Sequence, residues 1–157
     1  MTDPPLYVML VGVPGAGKTT FRETMFNQGY KVYSSDLEIE KLCKELGKTY
    51  NELFADYYIE CVEKAENVLD EALEKGYDVV DDHTNLTVAS RQRRLRVIPD
   101  YYTKIAIVFN PPPEDEYRRR LANRPGKVIP EPVIKNMLES FTAPTTKEGF
   151  DYVAVIQ

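Results

Sequence analysis

The sequence predicts an α/β three-layer sandwich, a mainly parallel sheet of about four to five strands with helices on both faces. Three observations predict it. Short apolar runs alternate with longer stretches of helical periodicity. Glycine or proline marks several of the junctions. The first apolar run passes directly into a glycine-rich turn that opens a helix.

In chain order, residues 6–11 read as a buried strand and 18–26 as the helix after the turn. Residues 31–34 form a short second strand, and 37–46 a helix that Gly47 breaks. Asn51 is placed to cap a long helix running to about residue 75, which Gly76 ends. Leu53, Tyr57, Cys61, Ala65, Val68 and Ala72 give that helix one apolar face. Residues 77–81 are the third strand, and 90–98 a basic helix. Residues 104–109 form the fourth strand, with Ile105, Ile107 and Val108 apolar. Pro111 to Pro113 start another helix, where proline is tolerated in the first turn. Gly126 and Pro130 bracket a loop, 131–141 is a helix, and 152–156 a last strand. In such sheets ligands bind at the carboxyl ends of the strands.

A chain of 157 residues suits one domain, 1–157, with one core. No run approaches the roughly 18 apolar residues of a membrane span. The start, Met1-Thr2-Asp3-Pro4-Pro5, lacks the basic region of a signal peptide. The net charge of −5 argues against coating nucleic acid by charge alone, but leaves room for a local basic cleft. Cys43 and Cys61 cannot make a disulfide framework; two buried thiols and a cytoplasmic setting are expected. Oligomeric state has no signature.

Gly12-Val13-Pro14-Gly15-Ala16-Gly17-Lys18-Thr19 matches G-x-x-x-x-G-K-[ST], with Thr20 following. This is a P-loop: its backbone N–H groups face phosphate oxygens, and the helix behind adds its positive end. Lys18 is expected at the β- and γ-phosphates, and the Thr19 hydroxyl on Mg²⁺. The fold class is therefore that of a P-loop NTPase.

Asp36 ends the second strand. It is placed either to accept the proton of an attacking hydroxyl or, with Ser35, to cap the next helix. Of the two acids ending the third strand, Asp82 is favoured by analogy for Mg²⁺, leaving Asp81 as a solvated or capping carboxylate. His83, the only histidine, reads as a polar strand-end residue. Arg120 and Arg124 share a helix face and suit a lid, near residues 114–130, over a triphosphate. Arg118, Arg119, Arg93 and Arg96 read as solvated. Arg91 and Arg94 share a face from which to contact acceptor phosphates. The aromatic residues mostly read as core, with no base-stacking platform discernible.

Together these motifs resemble the 5′-hydroxyl polynucleotide kinase family, over nearly the whole chain. The segment from Leu10 to Phe21 looks like that family's P-loop. Asp82-His83-Thr84-Asn85 resembles its D-x-T-N motif, and Ala89-Ser90-Arg91 the arginine that follows. Ala143-Pro144-Thr145 and Glu148-Gly149-Phe150 resemble its tail. The resemblance implies ATP as donor and a 5′-hydroxyl end of DNA or RNA as acceptor. Asp36 would be the general base, Lys18 and Arg124 would stabilise the γ-phosphoryl, Thr19 and Asp82 would hold Mg²⁺, and Arg91, Arg94 and Thr84 would lie on the acceptor side. Two positions depart: Ile39 stands where such kinases carry an acceptor-phosphate arginine, and Asp81 interrupts an apolar approach. The phosphatase domain of the bifunctional members is not expected. A kinase for a nucleoside or a hydroxymethylated base, and a non-catalytic nucleotide-dependent RNA-binding module, are the alternatives.

Overall fold

The computed structural model describes residues 3–124 and 126–156. Five strands, β1 (Leu6–Val11), β2 (Tyr30–Tyr33), β3 (Asp78–Asp81), β4 (Thr103–Phe109) and β5 (Tyr152–Ile156), form one sheet of order β2-β3-β1-β4-β5. Every neighbouring pair is parallel. The helices are α1 (Lys18–Met25), α2 (Ser35–Leu46), α3 (Tyr50–Lys75), α4 (Val88–Leu95), α5 (Glu114–Ala122) and α6 (Glu131–Ser140), with one 3₁₀ turn at Thr146–Glu148.

The pairing sets which residues share a face. Tyr33, Asp81, Met9, Ala106 and Val153 lie in one row across the sheet. That face meets Ala65, Leu69 and Ala72 of α3 and Leu95 of α4. The other face carries Val8, Leu10, Val80, Ile107 and Phe109 against Phe21 of α1. A third cluster, Val13, Leu86, Tyr117 and Ile134, fastens α5 and α6 to the phosphate loop.

Several boundaries differ from expectation. The cap of α2 is neither Ser35 nor Asp36 but Ser34, whose hydroxyl accepts from the Leu37 N–H at 3.1 Å. Thr49 rather than Asn51 caps α3, because Asn51 is spent elsewhere. Its amide donates to the Val128 carbonyl at 3.2 Å and accepts from the Val128 N–H at 2.7 Å. The three prolines precede α5, with Pro113 at its N-cap. Pro125, in the predicted lid turn, lies outside the described residues. Cys61 is buried and Cys43 only half-buried, both as free thiols. Among the described residues no helix is long and apolar enough to cross a membrane.

Candidate active site

All five strands point their carboxyl ends to one edge, and a cleft of about 800 Å³ opens there. That volume suits a nucleotide-sized ligand with room beside it. It is lined by the phosphate loop from Pro14 to Thr20, by Asp36 beyond β2, by Asp82, His83 and Thr84 beyond β3, and by Arg120, Arg124 and Lys127 in and after α5.

The loop owes its shape to its glycines. Gly15 has φ +83°, and a Cβ there would sit 3.3 Å from both Tyr117 and Leu121, so glycine is needed for conformation and for the close approach of α5. Gly12 donates to the Thr84 carbonyl at 3.0 Å, tying the loop to β3. The Val13 side chain turns into the core, leaving only its backbone to the loop.

Lys18 is buried and donates to the Gly12 carbonyl at 2.5 Å. Burial lowers its ammonium to about 8, against the upward pull of Asp82 and Asp36. The Thr19 hydroxyl stands 3.3 Å from Asp82 Oδ2. A hydroxyl and one carboxylate suit Mg²⁺, which takes one or two protein carboxylates and otherwise phosphate oxygens and water. Consistently, no cluster of three or more His, Cys, Asp or Glu among the described residues forms an all-protein cage. Arg22, one helical turn beyond Lys18, fixes Asp82 by an Nε–Oδ2 contact of 2.8 Å. Sequence reasoning missed it, although the i, i+4 offset from Lys18 signals the shared face.

Asp36 is half-exposed on the opposite wall. It accepts from the Tyr50 phenol at 2.7 Å and from Lys127 Nζ at 3.1 Å. Burial pushes its carboxyl up, but Lys127 and Tyr50 outweigh this and hold it below the usual range. Lys127 also lies 4.3 Å over the Tyr50 ring. The loop before α6 is clipped to α3 at this corner: the Asn51 N–H donates to the Gly126 carbonyl at 2.9 Å, and a Cβ on Gly126 would meet Thr49 at 2.6 Å. Neither Lys127 nor Tyr50 was singled out from sequence. Arg120 donates to the Gly15 carbonyl at 3.2 Å, and Arg124 has a buried Nη1 with no partner among the described residues.

Asp81 is not a solvated carboxylate. It is fully buried, accepting from the Tyr7 phenol at 2.5 Å, the Asn85 amide at 3.1 Å and His83 Nδ1 at 2.7 Å, with Arg94 Nε 3.8 Å away. Burial pushes its carboxyl up, and His83, Arg94 and Tyr7 overcome that and hold it down. His83 Nε2 lies 3.2 Å from the Ser35 backbone N. That N–H can only donate, so Nε2 accepts and the ring proton sits on Nδ1, facing Asp81. His83 is thereby a bracket between β3 and the first residue of α2, next to Asp36.

The two acceptor arginines read from sequence do not line the cleft. Arg91 is wholly buried, its guanidinium bonded to both Glu148 oxygens at 2.7 and 3.2 Å and to the Asn85 carbonyl at 2.9 Å. It fastens the tail to α4 and has no face for an acceptor. Arg94 lies over the Tyr33 ring at 5.6 Å, beneath the cleft and beside Asp81. Thr84 does line the cleft. Arg91→Leu will leave Glu148 unpaired, at a cost of about 3–5 kcal/mol. Urea unfolding will show this as a lower midpoint; unchanged stability with weakened acceptor binding would return Arg91 to the acceptor site.

Comparison with known proteins agrees with this geometry. The chain is 28% identical over 147 residues to an L-seryl-tRNA(Sec) kinase of Methanococcus maripaludis, covering 93% of this chain and 56% of that protein. It is 28% identical over 151 residues to a bifunctional polynucleotide phosphatase/kinase of Schizosaccharomyces pombe, covering 93% and 32% respectively. It thus spans about half or less of these relatives. A structure of a Pnkp1/Rnl/Hen1 RNA repair complex contains a chain of the same fold, with TM-score 0.70 and 24% identity over 96% of this chain and 48% of that one. The family model for an AAA domain matches residues 8–144, and with the phosphate loop and parallel sheet described above, the chain belongs to that family of P-loop proteins.

Proposed function

We propose that this chain is an ATP-dependent kinase that transfers the γ-phosphate to a 5′-hydroxyl end of DNA or RNA, within one domain spanning residues 1–157. The observation that carries the reading is the facing pair in one cleft: a phosphate loop with Lys18 on one wall, Asp36 on the other. A bare NTPase has to position a water; a carboxylate already receiving a hydroxyl, from Tyr50 at 2.7 Å, suits an alcohol acceptor. The polynucleotide kinase among the relatives supports the acceptor class.

In this mechanism the loop amides and Lys18 hold the β- and γ-phosphates. Asp36 takes the proton of the acceptor hydroxyl as its oxygen bonds to Pγ and the Pγ–O bond to the β-phosphate breaks, releasing ADP. Arg124 and Arg120 of the lid neutralise charge on the transferring group. Thr19 and Asp82 would hold Mg²⁺, which supplies charge neutralisation between the phosphates.

A second reading is favoured by the match to L-seryl-tRNA(Sec) kinase: the acceptor hydroxyl belongs to a group attached to RNA. Incubation with γ-labelled ATP and a panel of 5′-hydroxyl DNA and RNA, seryl-tRNA and free nucleosides separates the two. Label on the 5′-hydroxyl strands is expected. Label confined to seryl-tRNA or nucleosides would overturn the first reading, and no label on any acceptor would overturn both.

A further inference from the structure

The helix α3 is far longer than any strand it covers. At 26 residues it spans about 39 Å. Its last turns pack on the sheet through Leu69 and Ala72, and Gly76 and Tyr77 lead straight into β3. Its first residue, Tyr50, reaches Asp36 beyond the carboxyl end of β2. The amino-terminal half therefore overhangs the sheet on the side of the cleft.

On that overhang the buried stripe of Ala72, Leu69 and Ala65 continues as Cys61 and Leu53, and Tyr50, Phe54 and Tyr58 run beside it along the flank. These rings form a ladder, with centroids 5.6 Å apart between Tyr50 and Phe54 and 4.8 Å between Phe54 and Tyr58, tilted by 32° and 36°. Phe54 remains 41% exposed and Tyr58 43%. Large apolar rings in a row, left open to water, are costly unless something covers them. The overhang carries acids too, but Glu52, Asp56, Glu60 and Glu63 project from the opposite side of the helix at 100° per residue. The ladder face itself carries no carboxylate over residues 50–62, and its cleft end is capped by the Lys127 ammonium.

We infer that Phe54 and Tyr58 form a stacking track for the bases of the acceptor strand. The inference rests on the reading of a polynucleotide acceptor and specifies its form: a single strand whose second and third nucleotides stack there while the terminal hydroxyl reaches Asp36. Three features favour this occupant. The ladder is continuous with the candidate phosphoacceptor site through the Tyr50 phenol. Aromatic faces accept any base, which suits an enzyme that acts on ends. The ring spacings are too short for intercalation, so bases lie on the open faces and the strand need not be kinked.

The test compares acceptors of different length. The wild type will use a single-stranded 5′-hydroxyl hexanucleotide with kcat/KM about 10–100-fold above that for a nucleoside 3′-phosphate, each stacked base contributing up to about tenfold. Abasic sites at the second and third positions will remove that advantage. In Phe54→Ala/Tyr58→Ala the advantage will collapse toward one, mainly through KM. A 2-aminopurine at the second position will lose its stacking quench in the same variant. Ile59→Ala, exposed but off the ladder, serves as the control and will keep the full advantage. A wild type indifferent to length, or a double variant that keeps the length preference, would overturn the inference. So would a double variant whose only change is in self-association or protein binding. Absence of label on every 5′-hydroxyl acceptor, short or long, would instead overturn the kinase reading itself.

Discussion

Replacing Lys18 by methionine will raise the melting temperature and remove turnover together. The ammonium is buried against the phosphate loop, and burial lowers it from 10.5 to about 8. Below pH 8 it is charged in both folded and unfolded chain, and the folded state carries the whole penalty, roughly 3 kcal/mol. Methionine removes the penalty but also the bond to the Gly12 carbonyl, which offsets about 1.5 kcal/mol. The net gain of about 1–2 kcal/mol corresponds to roughly 2–6 °C for a chain of this size. The sign reverses the usual pH trend for lysine. As pH rises from about 8 towards 10.5, the folded state sheds its proton first, the wild type becomes more stable, and the advantage of methionine shrinks. Calorimetry at pH 7 and pH 9.5 checks both points. Loss of the charge at the triphosphate will lower kcat/KM by about 10²–10³. A variant that melts lower at pH 7 would show that Lys18 stabilises the loop.

Asp36→Asn will lower kcat by about 10²–10⁴ while leaving ATP affinity within a small factor. Asparagine keeps the size of the side chain and can still accept from the Tyr50 phenol, but it cannot take a proton from the acceptor. It also ends the ion pair with Lys127. Because Lys127 and Tyr50 hold the Asp36 carboxyl below its usual range, the wild type retains its ionised base well into mild acid. Single-turnover transfer, with nucleotide binding measured separately, distinguishes loss of chemistry from loss of binding. Transfer at the wild-type rate would remove Asp36 from the reaction.

Much of this was legible in the sequence because it is local. Short apolar runs and period-3.6 patterns marked the strands and helices, and glycines marked the ends of α2 and α3. The phosphate loop announces itself by spacing. That Asp36 and the acids ending β3 lie at one edge followed from one topological rule, that residues just past parallel strands gather there, while the choice of Asp82 over Asp81 rested on analogy. What failed depends on partners distant in the chain. Arg91 looked like a surface cation because its partner, Glu148, is 57 residues away. Asp81 looked solvated because Tyr7, which buries it, is 74 residues away. Asn51 and Thr49 are both good caps, and only the loop that meets Asn51 at Val128 decides between them. Lys127 carries no motif; the clip between Gly126 and α3 brings it to Asp36. The apolar face read on α3 is buried at Leu53, Cys61, Ala65 and Ala72, whereas Phe54 and Tyr58 beside it stay exposed, and helical spacing alone does not separate the two.

The position of β1 in the middle of the sheet has a consequence for biosynthesis. Its neighbours are β3 and β4, both made much later. During translation Leu6–Val11, wholly apolar apart from one phenol, waits without a partner while helices that precede β3 emerge. It gains its second neighbour only when residue 109 has left the ribosome. Such a segment is a natural client for chaperones. The nucleotide motif, though complete by Thr19, becomes a binding site only near the end of synthesis, so nascent chains of intermediate length will carry the signature without the capacity.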